Sequence, residues 1–314
     1  MRKKSKFKKI MSEKLAIAVV GLIILNIILL IFILNPNASS YIATIRENLQ
    51  KTASSKERNE IFEEINPSKG YELNIKFNDI GPKMLDLGVI DLDKFKSVYD
   101  TGNQSLTAEQ LDILTKGSDE KMKITRENSY FLLNFFWAVG LANNSKILTQ
   151  GDMSKYEDAG NFASTGGWSL SKDSAMNYYS KENLISLTEK QVDLVLKVSS
   201  NIYRPCCDNP TSFPDCNHGM ALLGVLELMA SQGATEIEMY EAAKYINSFW
   251  FPSTYYDLAK YFNKKQGKKF SDVDGKVILG KDYSSATGYM DTKKWMTENG
   301  LVEEVQEGGG SCGV

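Results

Sequence analysis

The strongest hydrophobic pattern lies near the start of the chain. Across 15–34 every residue is apolar except Gly21 and Asn26. A helix of that length spans about 30 Å, the hydrocarbon thickness of a bilayer. Arg2, Lys3, Lys4, Lys6, Lys8, Lys9 and Lys14 precede it, opposed by Glu13 alone. Positive charge resists translocation, so residues 1–14 are expected in the cytoplasm and everything after residue 34 outside it. The run exceeds the roughly 7–15 apolar residues of a cleaved signal peptide, and Asn35-Pro36-Asn37-Ala38-Ser39-Ser40 makes a weak cleavage site. No cysteine follows the run to carry a lipid. The expectation is an uncleaved, single-pass signal anchor of a bacterial cell membrane, touching the lipid bilayer through 15–34.

Beyond the anchor the period of the pattern changes. Ile42, Ile45 and Leu49, and later Ile61, Phe62 and Ile65, recur at helical spacing among charges such as Arg46, Glu47, Lys56 and Arg58. Residues 35–66 therefore read as a helical stalk, too poor in apolar positions for sustained heptads. Asn66-Pro67-Ser68-Lys69-Gly70 breaks the chain. Tyr71, Leu73, Ile75 and Phe77 then alternate with polar residues, as in a half-buried strand. No other segment alternates so cleanly, which argues against a large sheet.

Helix starts are marked by three capping boxes, Thr107 with Gln110, Thr188 with Gln191 and Thr235 with Glu238. The stretch 130–141, with Phe131, Leu132, Leu133, Phe135, Phe136 and Trp137, is too short to cross a bilayer and predicts a central core helix. A helix over 189–204 is expected to end at Pro205. A second puts Ala221, Leu222, Val225, Leu226 and Met229 inward, a third runs up to Pro252, and a fourth covers 254–262. The run 263–269 is basic and reads as a solvated turn, and a short helix is expected at 293–299. The fold class predicted is mainly α: the transmembrane helix, then a globular helical ectodomain over 67–306 with one or two short β-strands, then a Gly-rich flexible tail over 307–314.

The formal net charge is −2. Because the basic residues of the tail stay behind the anchor, the outer part is clearly acidic. No basic stripe and no Walker loop are present, which excludes nucleic acid as a partner. The 42% hydrophobic content fits a packed core rather than disorder. No constellation names a reaction, a substrate or a protein partner.

Two segments are candidates for chemistry. Residues 151–175 are punctuated by Gly151, Gly160, Gly166 and Gly167 and have loop composition. The simpler reading is a packed surface loop plugged by Trp168; the sharper one is a ligand loop shaped by Asn161, Ser164, Thr165 and Trp168. The second segment holds the only histidine and three of the four cysteines: Cys206-Cys207-Asp208-Asn209-Pro210-Thr211-Ser212-Phe213-Pro214-Asp215-Cys216-Asn217-His218.

Cys206, Cys207, Cys216 and His218 form a complete Cys₃His set for a tetrahedral ion, zinc or copper. Met220 adds a possible thioether, and Cys312 on its glycine tether a possible mobile thiolate. Asp208 and Asp215 are placed to orient the His218 ring, and a position at a helix start favours thiolate at Cys216. The spacing is not one of the common zinc patterns. Outside the cytoplasm the same cysteines can instead form disulfides, with no cofactor, in a binding or scaffolding domain of the envelope. A vicinal pair with a third cysteine also permits thiol–disulfide redox chemistry, whereas a Cys–His peptidase is disfavoured because its partners come from distant segments.

Overall fold

This computed structural model describes residues 38–102 and 105–302 together with Val20, Gly21, Ile24 and Ile27, which are helical. The remainder of the expected anchor, the basic tail over 1–14 and the tail over 307–314 with Cys312 lie outside the described residues. Among the described residues no helix is long and apolar enough to cross a membrane. The chain divides into two compact units, Met1–Glu60 and Ile61–Val314.

Helix α1 (Ala38–Ile65) supplies most of the described part of the first unit; residues 43–49 there are exposed, Ile45 and Leu49 included. Its last turn belongs to the second unit. Ile61 and Ile65 are buried, and Phe62 stacks on Tyr256 with ring centroids 4.9 Å apart.

The second unit is mainly helical with one small sheet. Strand β1 (Tyr71–Asn78) pairs antiparallel with β2 (Ser118–Ile124). The alternation in β1 buries Leu73, Ile75 and Phe77, whereas β2 buries only Met122 and Ile124 and exposes Asp119, Glu120, Lys121 and Lys123. Helices α2 (Ile80–Leu87), α3 (Leu92–Thr101) and α4 (Ala108–Thr115) connect the strands.

The core forms where α5 (Ser129–Ala142) meets α8 (Asn217–Ser231), after α6 (Lys146–Gln150) and α7 (Glu189–Ser199). The aromatic stretch expected to be a core helix is buried from Phe131 through Ala142. The two helices approach backbone to backbone: a Cβ on Gly140 would lie 2.0 Å from the Met220 carbonyl oxygen, and one on Gly224 would lie 2.8 Å from that of Phe136. Only glycine permits that spacing.

All three capping boxes close, at the starts of α4, α7 and α9 (Glu236–Trp250). Some boundaries differ from expectation. Helix α7 stops at Ser199, because the Tyr203 amide donates to the Leu279 carbonyl at 2.8 Å and the residue before Pro205 is biased away from helix. Pro252 opens α10 (Pro252–Gln266) rather than only closing α9, since its fixed φ suits a first helical position. Part of the basic run 263–269 continues that helix, to a left-handed Gly267 at φ 66°. After α11 (Gly275–Ile278) and α12 (Lys281–Ser284), α13 (Ala286–Glu298) starts earlier than expected, capped by Ser285.

Candidate metal centre

The cysteine segment is a tight loop ending at the first turn of α8. Thr211 closes it: its amide donates to the Ile202 carbonyl at 2.7 Å and its hydroxyl to the same oxygen at 3.0 Å. Pro205, Pro210 and Pro214 restrict the backbone between. The loop is tied to α13 through the Ala286 amide, which donates to the Cys207 carbonyl at 3.0 Å. Cys216 is the N-cap of α8, and its sulfur accepts from the Gly219 amide at 3.4 Å.

These constraints bring the sulfurs together. Cys206 Sγ and Cys216 Sγ are 3.5 Å apart, and one His218 ring nitrogen lies within 4.8 Å of both. Cys207 Sγ, an Asp215 oxygen and Cys216 Sγ form a second triad within the same limit. Cys216 is common to both. Cys206 is exposed, Cys207 and Cys216 are half-buried, and all three are free thiols.

His218 is 2% exposed. Its ring lies 4.5 Å from that of Phe251 and edge-on to Trp250 at 5.7 Å. Its Nδ1 is buried with no hydrogen-bond partner. An unsatisfied buried nitrogen costs about 1–3 kcal/mol, and coordination through it would remove that cost.

Arg204 occupies the other side. Its side chain is 0% exposed, and Nη2 donates to Cys207 Sγ at 3.2 Å and to Asp215 Oδ1 at 2.9 Å. Nη1 reaches Thr211 Oγ1 at 3.4 Å. The guanidinium lies so close to the first turn of α8 that a Cβ on Gly219 would sit 2.6 Å from Arg204 Cζ. Burial opposes the Arg204 charge, but Cys216, Cys207, Cys206 and Asp215 outweigh it and hold the group protonated. A fixed cation thus already serves Cys207 and Asp215, which leaves Cys206, Cys216 and His218 as the triad open to an ion.

The three thiols are not equivalent. Hydrogen bonds from Cys206 and Cys207, reinforced by Arg204 and by the His218 ring, hold Cys216 well below an ordinary thiol despite its burial. Bonding to Cys207 and Cys216, together with burial, pushes Cys206 far up. For Cys207 the contact with Cys206 lowers the value, and the contact with Cys216 plus burial carries it up. Within the cluster the anion is therefore favoured at Cys216 and disfavoured at Cys206 and Cys207. Metal binding there would displace the remaining thiol protons.

The other candidates fall out differently. Both Asp208 oxygens are taken by Thr287, whose amide donates at 2.9 Å and hydroxyl at 2.8 Å, so Asp208 secures the start of α13. Asp215 binds Arg204 and, through Oδ2, accepts from Asn209 Nδ2 at 2.8 Å. Neither carboxylate meets His218 Nδ1. Met220 is packed in the hydrophobic core.

The loop 151–175 does touch the cysteine segment: the Ser164 amide donates to the Asp215 carbonyl at 3.2 Å, and Phe162 packs edge-on to Phe213 at 5.5 Å. Its polar side chains serve the fold. Thr165 bonds to the Ala159 and Phe162 carbonyls, and Trp168 is buried with Nε1 donating to the Val89 carbonyl at 3.0 Å. Asn161 is exposed, and Ser164 is buried with its hydroxyl unpartnered.

Sequence reasoning missed Arg204, whose partners are a sulfur and the acid Asp215 across the loop rather than an acid at helical spacing. It also missed Glu227, although a single acid inside the apolar stretch of α8 was a visible signal. The chain matches no known protein family, and no curated protein or solved structure is similar to it.

Proposed function

We propose that this chain is a membrane-anchored extracytoplasmic protein that holds one soft metal ion, zinc or copper(I), through Cys206, Cys216 and His218, with Cys207 as the nearest further thiol. The supporting observation is the convergence of two sulfurs at 3.5 Å on a histidine nitrogen within 4.8 Å. Two thiolates on a tetrahedral ion with bonds of about 2.3 Å stand about 3.7 Å apart, whereas a disulfide brings them to about 2.05 Å. Thiolates and imidazole are the ligands that zinc and copper(I) favour. The downward shift of Cys216 lowers the cost of deprotonating one ligand. The apolar run over 15–34 behind a basic tail supports the anchor and its direction.

The test is to purify the full chain in detergent without chelators, then measure bound metal and free thiols on the same sample. Stoichiometric zinc or copper is expected, with thiols that become titratable after chelation and need no reductant. Cys216→Ser and His218→Ala should each lose the metal. A chain without metal, whose thiols appear only after reduction, overturns this reading. That result would instead support a disulfide-stapled envelope domain, for which the nearness of Cys206 to Cys216 and the exposure of Cys206 speak. Metal-free chain with a Cys216 that alkylates far below the pH of an ordinary thiol would support thiol–disulfide chemistry.

A further inference from the structure

We propose that a cavity beside Glu227, separate from the cysteine cluster, is a binding site for a small primary alkylammonium ion. The cavity has a volume of about 300 Å³ and is walled by the segment after α5, by 183–187, by Val192 of α7 and by Glu227 of α8. That is the lower end of the size range of small-molecule sites, about 300–1,000 Å³. Four lining side chains, Ile147, Ile185, Leu187 and Val192, are aliphatic.

Glu227 is 1% exposed yet lines this space. Its Oε2 accepts from Asn143 Nδ2 at 2.7 Å, and Asn143 Oδ1 in turn accepts from the Ile185 amide at 2.8 Å. The carboxyl is therefore fixed in orientation by a residue that is itself fixed. What it lacks is a cation. Lys146 is the other titratable residue lining the cavity, and it is paired with Glu189. Glu227 makes no ion pair among the described residues. Burial pushes its carboxyl up to about 7, against the lowering effect of hydrogen bonds from Ser145 and Asn143.

A buried carboxylate without a counter-charge is costly. In a sealed core the only remedy is protonation. Here Glu227 lines a cavity, so an entering ammonium group can supply the charge while its hydrocarbon body covers the aliphatic wall. Size and lining fit a short branched chain of about four or five carbons. The amine keeps its proton throughout the range in which Glu227 titrates, because alkylammonium groups, like lysine, titrate near pH 10. Affinity should therefore rise with pH as Glu227 ionises.

The probe is 3-methylbutylamine, titrated calorimetrically into the full chain in detergent at pH 7.5, with detergent alone as the blank and 3-methylbutan-1-ol as the neutral isostere. Saturable one-to-one binding of the amine is expected. It should weaken at least tenfold for the alcohol and at least tenfold in Glu227→Gln, whose folding is checked by its melting transition. It should also tighten between pH 5.5 and 8 and survive in Cys216→Ser, since the metal site takes no part. Absence of saturable amine binding, undiminished binding in Glu227→Gln, or equal binding of the alcohol would each overturn the proposal.

Discussion

Helix α8 carries a buried ionic centre near each of its ends, and they face the same problem with different means. At the first turn, Arg204 is sealed from water, and acidic groups surround it: Asp215 and the sulfurs of Cys216 and Cys207. Further along, Glu227 is equally buried, at the edge of a cavity, and has two neutral hydrogen-bond donors, Asn143 and Ser145, but no cation. The ionisable groups respond in opposite directions. Cys216, which receives hydrogen bonds from Cys206 and Cys207 and lies beside the Arg204 charge, is driven toward its anion; Glu227, buried and without a cation, is driven toward its acid. Hydrogen-bond donors aimed at the acceptor, backed by a permanent cation, count for more than depth of burial in favouring the charged form near this helix.

The largest effect expected from breaking that contrast is at Arg204. In Arg204→Ala the Asp215 carboxylate and Cys207 lose their donor and a void opens against Gly219. Removing one partner of a buried ion pair costs about 3–5 kcal/mol, and the partial exposure of Asp215 places this case toward the lower figure. Urea denaturation of the full chain measures it. A loss below about 1 kcal/mol would show that the guanidinium does not hold the turn together.

The second test uses pH. Glu227 has a folded value raised from 4.5 to about 7. Between those limits the folded state binds more protons than the unfolded chain, so stability falls as pH rises. The loss is complete above pH 7 and absent below pH 4.5, and its size is about 3 kcal/mol. Glu227→Gln, which cannot ionise, should flatten that segment of the stability profile. A profile unchanged by the substitution would mean that Glu227 already has a counter-charge and that the contrast along α8 does not exist.

How much of this was legible beforehand depends on the sequence distance between partners. The strand at Leu73, Ile75 and Phe77 and the three capping boxes are local, and periodicity or a four-residue spacing discloses them. The paired strand β2 was hidden because its outer face is a run of charges, so only Met122 and Ile124 carry the pattern. Within the site, the cluster of cysteines with His218 stood out by composition alone. Its assembly did not: the guanidinium beside the sulfurs, the glycine that admits it, and the diversion of Asp208 to Thr287 all rest on contacts fixed by tertiary packing. A carboxylate next to two cysteines reads as an orienting partner until the helix it caps is in place.

The smallest expected effect on stability is at Cys216, and it separates chemistry from architecture. The sulfur does two things: it caps α8 by accepting from the Gly219 amide, and it joins both ligand triads. Serine keeps the first role, since a hydroxyl oxygen is among the preferred N-cap acceptors. It abandons the second, because an alcohol is a hard and weakly acidic donor where a soft ion wants a thiolate. In metal-free samples Cys216→Ser should therefore change stability by less than about 1 kcal/mol, read by urea denaturation with chelator present. Without chelator, the parent chain should gain stability from its ion and the variant should not, because ligand bound only to the folded state adds to its free energy of unfolding. A parent that is equally stable with and without chelator, matched by the variant, would leave α8 with a cap at its start and no metal centre.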